Sequence, residues 1–300
     1  MSDHRNRLSG VFAPVVTPFR NGEPALDYLR FNLRKLSVTG LAGYLALGSN
    51  GEFRSMSDIE QMRILEVFAG EKGEKTVMVG AACESTCHTI EKTKHAAEMG
   101  FPYASVLTPS YFARQMTDAV LLGYFEAVAD ASPIPILLYN APGFAGGVQL
   151  SPKTVNRLAV HPNIVGMKDS SPAGPGRFLS ALDRSREFSI LVGSADFFYP
   201  SLHLGAVGGI ISLANALPAQ CCELYRSFLA GEFARAQDLH FRLSRLNSAV
   251  SGAHGVAGVK AAMDLAGFRG GEARHPLLPL AEYEREVIHQ KILAEGFTLD

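Results

Sequence analysis

Lys168 closes the apolar run Ile164, Val165, Gly166, Met167, and Tyr139 closes an earlier one, Ile134 to Leu138. An ammonium is poorly tolerated in a folded interior, because it must find a partner or surrender its proton. A lysine in such a place therefore reaches water or is kept for its amine. An amine flanked by apolar side chains has its protonated form disfavoured and can attack a ketone to form an imine. The imine is an electron sink, so a carbon–carbon bond beside it can be made or broken without a metal. A nearby phenol could carry the proton. Taken alone, Lys168 fits better the ordinary alternative, a side chain that snorkels outward to pair with Asp169.

The elements that must position these residues follow from periodicity. Short, continuous apolar runs at residues 11–16, 43–48, 76–82, 103–108, 134–139, 164–168, 189–193 and 208–213 read as strands. Helical stretches at 27–37, 58–69, 86–99, 117–131, 152–159, 176–184, 196–204 and 218–230 alternate with them. Ser57 with Glu60 three residues on, and Ser151 before a proline, read as helix N-caps. Continuous rather than alternating apolar strands are expected where helices cover both faces of a parallel sheet. Eight such units predict an α/β fold, a (β/α)8 TIM barrel over residues 1–231. Residues 232–300 read as a C-terminal helical appendage, with helices at 233–250, 256–266 and 281–294. A doubly wound open sheet is the alternative, but its glycine fingerprints do not occur here.

Composition narrows the partners. The 300 residues are 47% hydrophobic, and 28 Lys and Arg against 29 Asp and Glu leave a net charge of -1 without basic or acidic runs. Neither nucleic acid nor a membrane surface is expected; a small molecule is. The 4 cysteines do not form a disulfide scaffold, and MSDHRNRLSG lacks the apolar core of a signal peptide, so a cytoplasmic setting is expected. The 9 histidines form no ligand cluster, and no metal or other cofactor is expected. In a barrel the strand ends line the catalytic face. Here they carry Thr17, Ser49, Asn50, Thr108, Ser110, Tyr111, Tyr139, Asn140, Lys168, Ser170, Ser194, Ser212 and Asn215. Any one of these polar residues could simply meet solvent. A lysine and a tyrosine on consecutive strands is the less ordinary combination.

Four motifs, GSNGE (48–52), TPSYF (108–112), YNAP (139–142) and GMKDS (166–170), occur in this order. In order and spacing they resemble the dihydrodipicolinate synthase and N-acetylneuraminate lyase family of Schiff-base pyruvate aldolases, from about Val11 to Gly271. The segment LVGSADFFYPSLHLGAVGGIISLANALP most resembles the 4-hydroxy-2-oxoglutarate aldolase branch. The resemblance implies a lyase acting on a 4-hydroxy-2-oxo acid, with pyruvate and an aldehyde as the small-molecule partners. It implies Lys168 as the Schiff-base lysine, Tyr139 as the proton shuttle and Ser49 as a relay hydroxyl. Gly48, Ser49 and Asn50 would form a turn of amides for the pyruvate carboxylate, which is a sound anion site. Tyr111 matches the aromatic that reaches across a dimer interface, which implies a homo-oligomer, a dimer or tetramer. Ser170 would meet the distal end of the substrate, and the Ile211 backbone would face the lysine.

The departures bear on substrate. Where dihydrodipicolinate synthases carry an arginine for a substrate carboxylate, this chain has Phe144, and a ring cannot replace a bidentate guanidinium. The hydroxyoxoglutarate branch has serine after the tyrosine, whereas Asn140 stands here. A 2-keto-3-deoxy sugar-acid aldolase or dehydratase and dihydrodipicolinate synthase are the alternatives, and a non-catalytic keto-acid sensor is the reading from another class. Arg54 and Arg114 follow motif residues and could meet a distal carboxylate. Lys260 reads as a packing or salt-bridge residue, and Cys83, Cys87, Cys221 and Cys222 as small buried groups.

Overall fold

Eight parallel strands carry the apolar runs: β1 Gly10–Pro14, β2 Gly43–Ala46, β3 Thr76–Gly80, β4 Tyr103–Leu107, β5 Ile136–Asn140, β6 Ile164–Asp169, β7 Ser189–Val192 and β8 Gly208–Ile210. They pair in the order β1-β8-β7-β6-β5-β4-β3-β2 and close into a barrel, with helices between successive strands, which makes the fold a (β/α)8 TIM barrel. This computed structural model describes residues 4–183 and 185–298. Every residue of β1, β2 and β4 to β8 is buried, as expected for strands covered on both faces.

By its contacts the chain divides into two compact units. The first runs from Thr76 to Gly209 with the N-terminal residues to Gly10, and holds β3 to β7. Its helices are α1 His4–Leu8, α4 Thr86–Glu98, α5 Asp118–Ala131, α6 Pro152–Leu158, α7 Gly176–Ala181 and α8 Phe198–Leu204. The hydroxyls of Ser85, Thr117 and Ser151 accept the amides of His88, Val120 and Thr154, starting α4, α5 and α6. Helix α5 then buries Leu121, Tyr124, Phe125 and Val128, the spacing of one helical face.

The second unit comprises Val11–Lys75 and the chain from Ile210 onward. It holds β2, α2 Leu26–Ser37, α3 Asp58–Glu71, α9 Pro218–Leu229, α10 Phe233–Asn247, α11 Ala253–Leu265 and α12 Glu282–Ala294. Ser57 and Glu60 form the capping box expected from their spacing at the start of α3. A turn of π-helix at Ser248–Gly252 joins α10 to α11.

Where local chemistry overrides propensity, the elements differ from expectation. The apolar run at 208–213 is not one strand: β8 stops at Ile210 and Ser212–Asn215 forms a 3-10 turn. The fully buried Asn215 amide explains the stop, donating to the Pro14 and Ser212 carbonyls at 3.0 Å each and accepting the Val16 amide at 3.3 Å. Satisfying three buried backbone groups outweighs another rung of ladder. The helix expected at 176–184 is present as far as Ala181, and position 184, like residues 1–3 and 299–300, lies outside the described residues. Helix α1 and a small hairpin, Phe19–Arg20 with Glu23–Pro24, are additional to the expected elements.

The site depends on how closely β6 lies against its neighbours. A Cβ on Gly166 would stand 2.3 Å from the Ser189 carbonyl oxygen, so only glycine permits this approach of β6 to β7. Gly166→Ala is therefore expected to destabilise the fold by about 1–3 kcal/mol, the usual range for overpacking. Urea denaturation measures this, and a variant as stable as the parent contradicts it.

Candidate active site

Strands β5 and β6 pair so that Tyr139 lies opposite Lys168 and Asn140 opposite Asp169. Because side chains alternate along a strand, the first pair shares one face of the sheet and the second pair the other. Lys168 is 4% exposed and Tyr139 5%, and the Lys168 Nζ sits 4.4 Å from the centre of the Tyr139 ring. The amine thus ends inside the protein, against a phenol.

Asp169 does not follow it. Its carboxylate accepts the Asn140 side-chain amide at 2.6 Å and the Ser171 hydroxyl at 2.8 Å, while the Asn140 side-chain Oδ1 accepts the Leu150 backbone amide at 2.8 Å. Burial raises the Asp169 pKa, and the donors from Asn140 and Ser171 counter it in part. The sequence alternative in which Lys168 turns outward to pair with Asp169 is therefore not what occurs. Instead the Asp169–Asn140 pair ties the ends of β5 and β6 together on the opposite face, and so holds Lys168 in register with Tyr139.

The other expected residues of the first unit lie on loops. The Ser170 amide donates to the Asn140 carbonyl at 2.8 Å, and its hydroxyl occupies the space that a Cβ on Gly193 would fill. Tyr111 is 79% exposed and meets Phe112 edge to face, with ring centres 4.9 Å apart. Its backbone is nonetheless fixed, since the Glu84 carboxylate accepts the amides of Ser110 and Tyr111 at 2.8 Å each and the Ser110 hydroxyl at 3.2 Å. Phe144, in the short helical turn Pro142–Phe144, is 59% exposed.

In the second unit, Gly48, Ser49 and Asn50 form the turn that follows β2. Leu47 and Glu52 on either side both have a φ of 53°, a left-handed conformation unusual for residues with large side chains. Asn50 donates to the Ser212 hydroxyl at 3.0 Å, Thr17 to the Gly51 carbonyl at 2.8 Å, and the Glu52 amide to the Ser49 carbonyl at 3.0 Å. Ile211 is buried, and its amide donates to the Phe12 carbonyl at 3.0 Å. Lys260 makes the salt bridge anticipated for it, donating to Glu52 at 2.5 Å and to the Glu272 carbonyl at 2.6 Å.

Reading residues by type missed three groups: Glu84, Glu52 and the Asp169–Asn140 pair. Each involves a carboxylate a few residues from a strand end, and that was the only sequence signal. The cysteines also divide differently from expectation. Cys221 and Cys222 are buried, and burial raises both thiols, that of Cys222 to about 11. Cys83 is half-buried in a loop, and Cys87 is exposed near the start of α4, where polar neighbours surround it. Among the described residues no group of three or more His, Cys, Asp or Glu could hold a metal ion, and no helix is long and apolar enough to cross a membrane.

Asp169→Ala would leave the buried Asn140 amide and Ser171 hydroxyl without their acceptor, for an expected loss of about 1–3 kcal/mol. Calorimetry or urea denaturation at neutral pH measures it, and unchanged stability contradicts the role given to this pair.

Comparison with known proteins bears on the family and the fold. The model of the dihydrodipicolinate synthetase family matches residues 7–295. A 4-hydroxy-tetrahydrodipicolinate synthase of Methanothrix thermoacetophila is 35% identical over 276 residues, covering 91% of this chain and 92% of its own. Among solved structures, the prophage protein YagE of E. coli K12, a dihydrodipicolinic acid synthase family member in complex with pyruvate, superposes with a TM-score of 0.89 at 26% identity, over 97% of this chain and 99% of its own. A monomeric dihydrodipicolinate synthase variant superposes with a TM-score of 0.88 at 30% identity, over 99% of this chain and 100% of its own.

Proposed function

Because the chain belongs to the dihydrodipicolinate synthetase family, whose members are lyases using a lysine Schiff base, we propose that Lys168 is that lysine and pyruvate its first substrate. The observation that carries this reading is the buried Lys168 amine beside the Tyr139 ring. In the proposed reaction Lys168 Nζ attacks the ketone carbon of pyruvate, water leaves, and an imine forms. Loss of a proton from the pyruvate methyl group gives an enamine, which adds to the carbonyl carbon of an aldehyde. Hydrolysis then returns the free amine, and the reverse sequence cleaves the same bond. Tyr139 carries the protons, with Ser49 and Tyr111 completing its relay. The turn of Gly48, Ser49 and Asn50 holds the pyruvate carboxylate through backbone amides. Ser170 and the Ile211 backbone border the substrate. Tyr111, largely exposed in one chain, serves a neighbouring copy in a homo-oligomer.

For the second substrate, the relatives named as 4-hydroxy-tetrahydrodipicolinate synthases support a condensation of that type over the cleavage of 4-hydroxy-2-oxoglutarate that the segment at 191–218 suggests. One observation favours a different aldehyde. The loop after Tyr139 presents the exposed ring of Phe144 and carries no cation, so it offers no partner for a carboxylate at that end.

Pyruvate followed by borohydride is expected to give a covalent pyruvyl adduct by intact mass, lost in Lys168→Ala. An unmodified wild-type protein overturns the reading, and so does an adduct that persists in the variant. Tyr139→Phe is expected to lower kcat by about 10²–10⁴ while leaving slow adduct formation in place. Steady-state rates across aldehydes with and without a terminal carboxylate test the second substrate. If Phe144 sets the preference, aldehydes without the carboxylate turn over faster, and Phe144→Arg reverses the order.

A further inference from the structure

A second buried lysine is unused by the reaction proposed above. Lys260, on α11, is 1% exposed, and Glu52, which closes the turn at 48–52, is 7% exposed. Both Glu52 oxygens accept a hydrogen bond, and the Lys260 ammonium makes two. One Glu52 oxygen accepts Lys260 Nζ, and the other accepts the Arg274 amide at 2.9 Å. Lys260 also donates to the Glu272 carbonyl and stands 4.8 Å from the centre of the Phe19 ring. The Arg274 guanidinium covers the same ring at 5.1 Å and pairs with Glu60 at 2.7 Å.

The chain around this pair is shaped to allow it. A Cβ on Gly270 would lie 2.1 Å from the Lys260 carbonyl oxygen, and Gly271 has a φ of 68°, so the segment Gly270–Glu272 can lie against both α11 and Phe19. Phe19 and Glu272 exchange backbone hydrogen bonds at 2.9 and 3.3 Å. The anchor so formed holds the carboxylate of Glu52, whose own backbone is in the left-handed conformation and whose amide bonds back to Ser49. Fixing Glu52 therefore fixes the direction in which the turn presents its amides. It also matters which charge is there: an unneutralised carboxylate at this point would repel any anion that the turn binds.

We propose that the buried Lys260–Glu52 pair is a positioning device for the Gly48–Asn50 turn, giving it the shape and the electrical neutrality it needs to take the carboxylate of a 2-oxo acid. Helix α11 then acts on substrate binding without touching substrate. This inference rests on the proposed reading of Ser49 and Asn50.

The test is the pyruvate concentration that half-saturates borohydride trapping at Lys168, read with the KM for the aldehyde and the melting temperature. Lys260→Met leaves Glu52 an unpaired buried anion, and half-saturation is expected to rise by about tenfold or more with the aldehyde KM unchanged. Glu52→Gln, nearly isosteric, loses the ion pair that fixes the turn, while the ammonium it leaves attracts the substrate anion and offsets part of that loss. A smaller rise is therefore expected, and this variant decides the matter should Lys260→Met fail to fold. The double variant removes both charges and keeps an acceptor for the Arg274 amide, so half-saturation recovers towards wild type. Melting temperatures that fall while half-saturation stays put in the single variants overturn the proposal, as does a double variant that recovers nothing. Absence of an adduct in the wild-type control would instead sink the Schiff-base reading itself.

Discussion

The register of β5 against β6 is the constraint on which the proposed chemistry of this protein depends. With Tyr139 opposite Lys168, a one-residue slip would move the lysine to the other face of the sheet and replace it with Asp169. The hydrogen bond between Asn140 and Asp169 on the far face opposes that slip, while Gly166 and Gly193, by letting β6 and β7 approach closely, hold β6 itself in place. Holding an amine in a buried place is thus a property of backbone pairing as much as of the lysine.

The same economy appears in the loops. Two carboxylates in these loops fix backbone. Glu84 gathers the amides of Ser110 and Tyr111, and Glu52 gathers the Arg274 amide and the Lys260 ammonium. Glu52 is buried and tolerated because donors surround it, whereas Glu84 is exposed, yet each carboxylate dictates the shape of the loop that supplies its donors. These are the loops that carry the residues proposed to bind and turn over substrate.

Much of this was legible in the sequence, and the limits of that reading are physical. The eight strands were visible because sheets covered on both faces need uninterrupted apolar runs, and most helices because Ser57, Ser151 and their kind mark where they start. The end of β8 was not, because nothing local says that the Asn215 amide will bond to Pro14, some two hundred residues earlier in the chain. The destinations of Lys168 and Asp169 were equally hidden. Both are ionisable and adjacent, and only the pairing of β5 with β6 separates the amine from the carboxylate. Motif resemblance supplied the family, which the comparisons bear out, but it leaned towards a hydroxyoxoglutarate aldolase branch where the named relatives are synthases. The motifs carry the residues proposed for the imine half of the reaction, whereas Phe144, proposed to meet the aldehyde, lies outside all four.

Two buried lysines, Lys168 beside a phenol and Lys260 beside a carboxylate, make the central claim unusually easy to examine. The most direct measurement is a crystal structure of the protein soaked in pyruvate. The account predicts continuous density from Lys168 Nζ to the second carbon of pyruvate, with Lys260 still bonded to Glu52. Pyruvate joined to Lys260, or bound with Lys168 unattached, would contradict it.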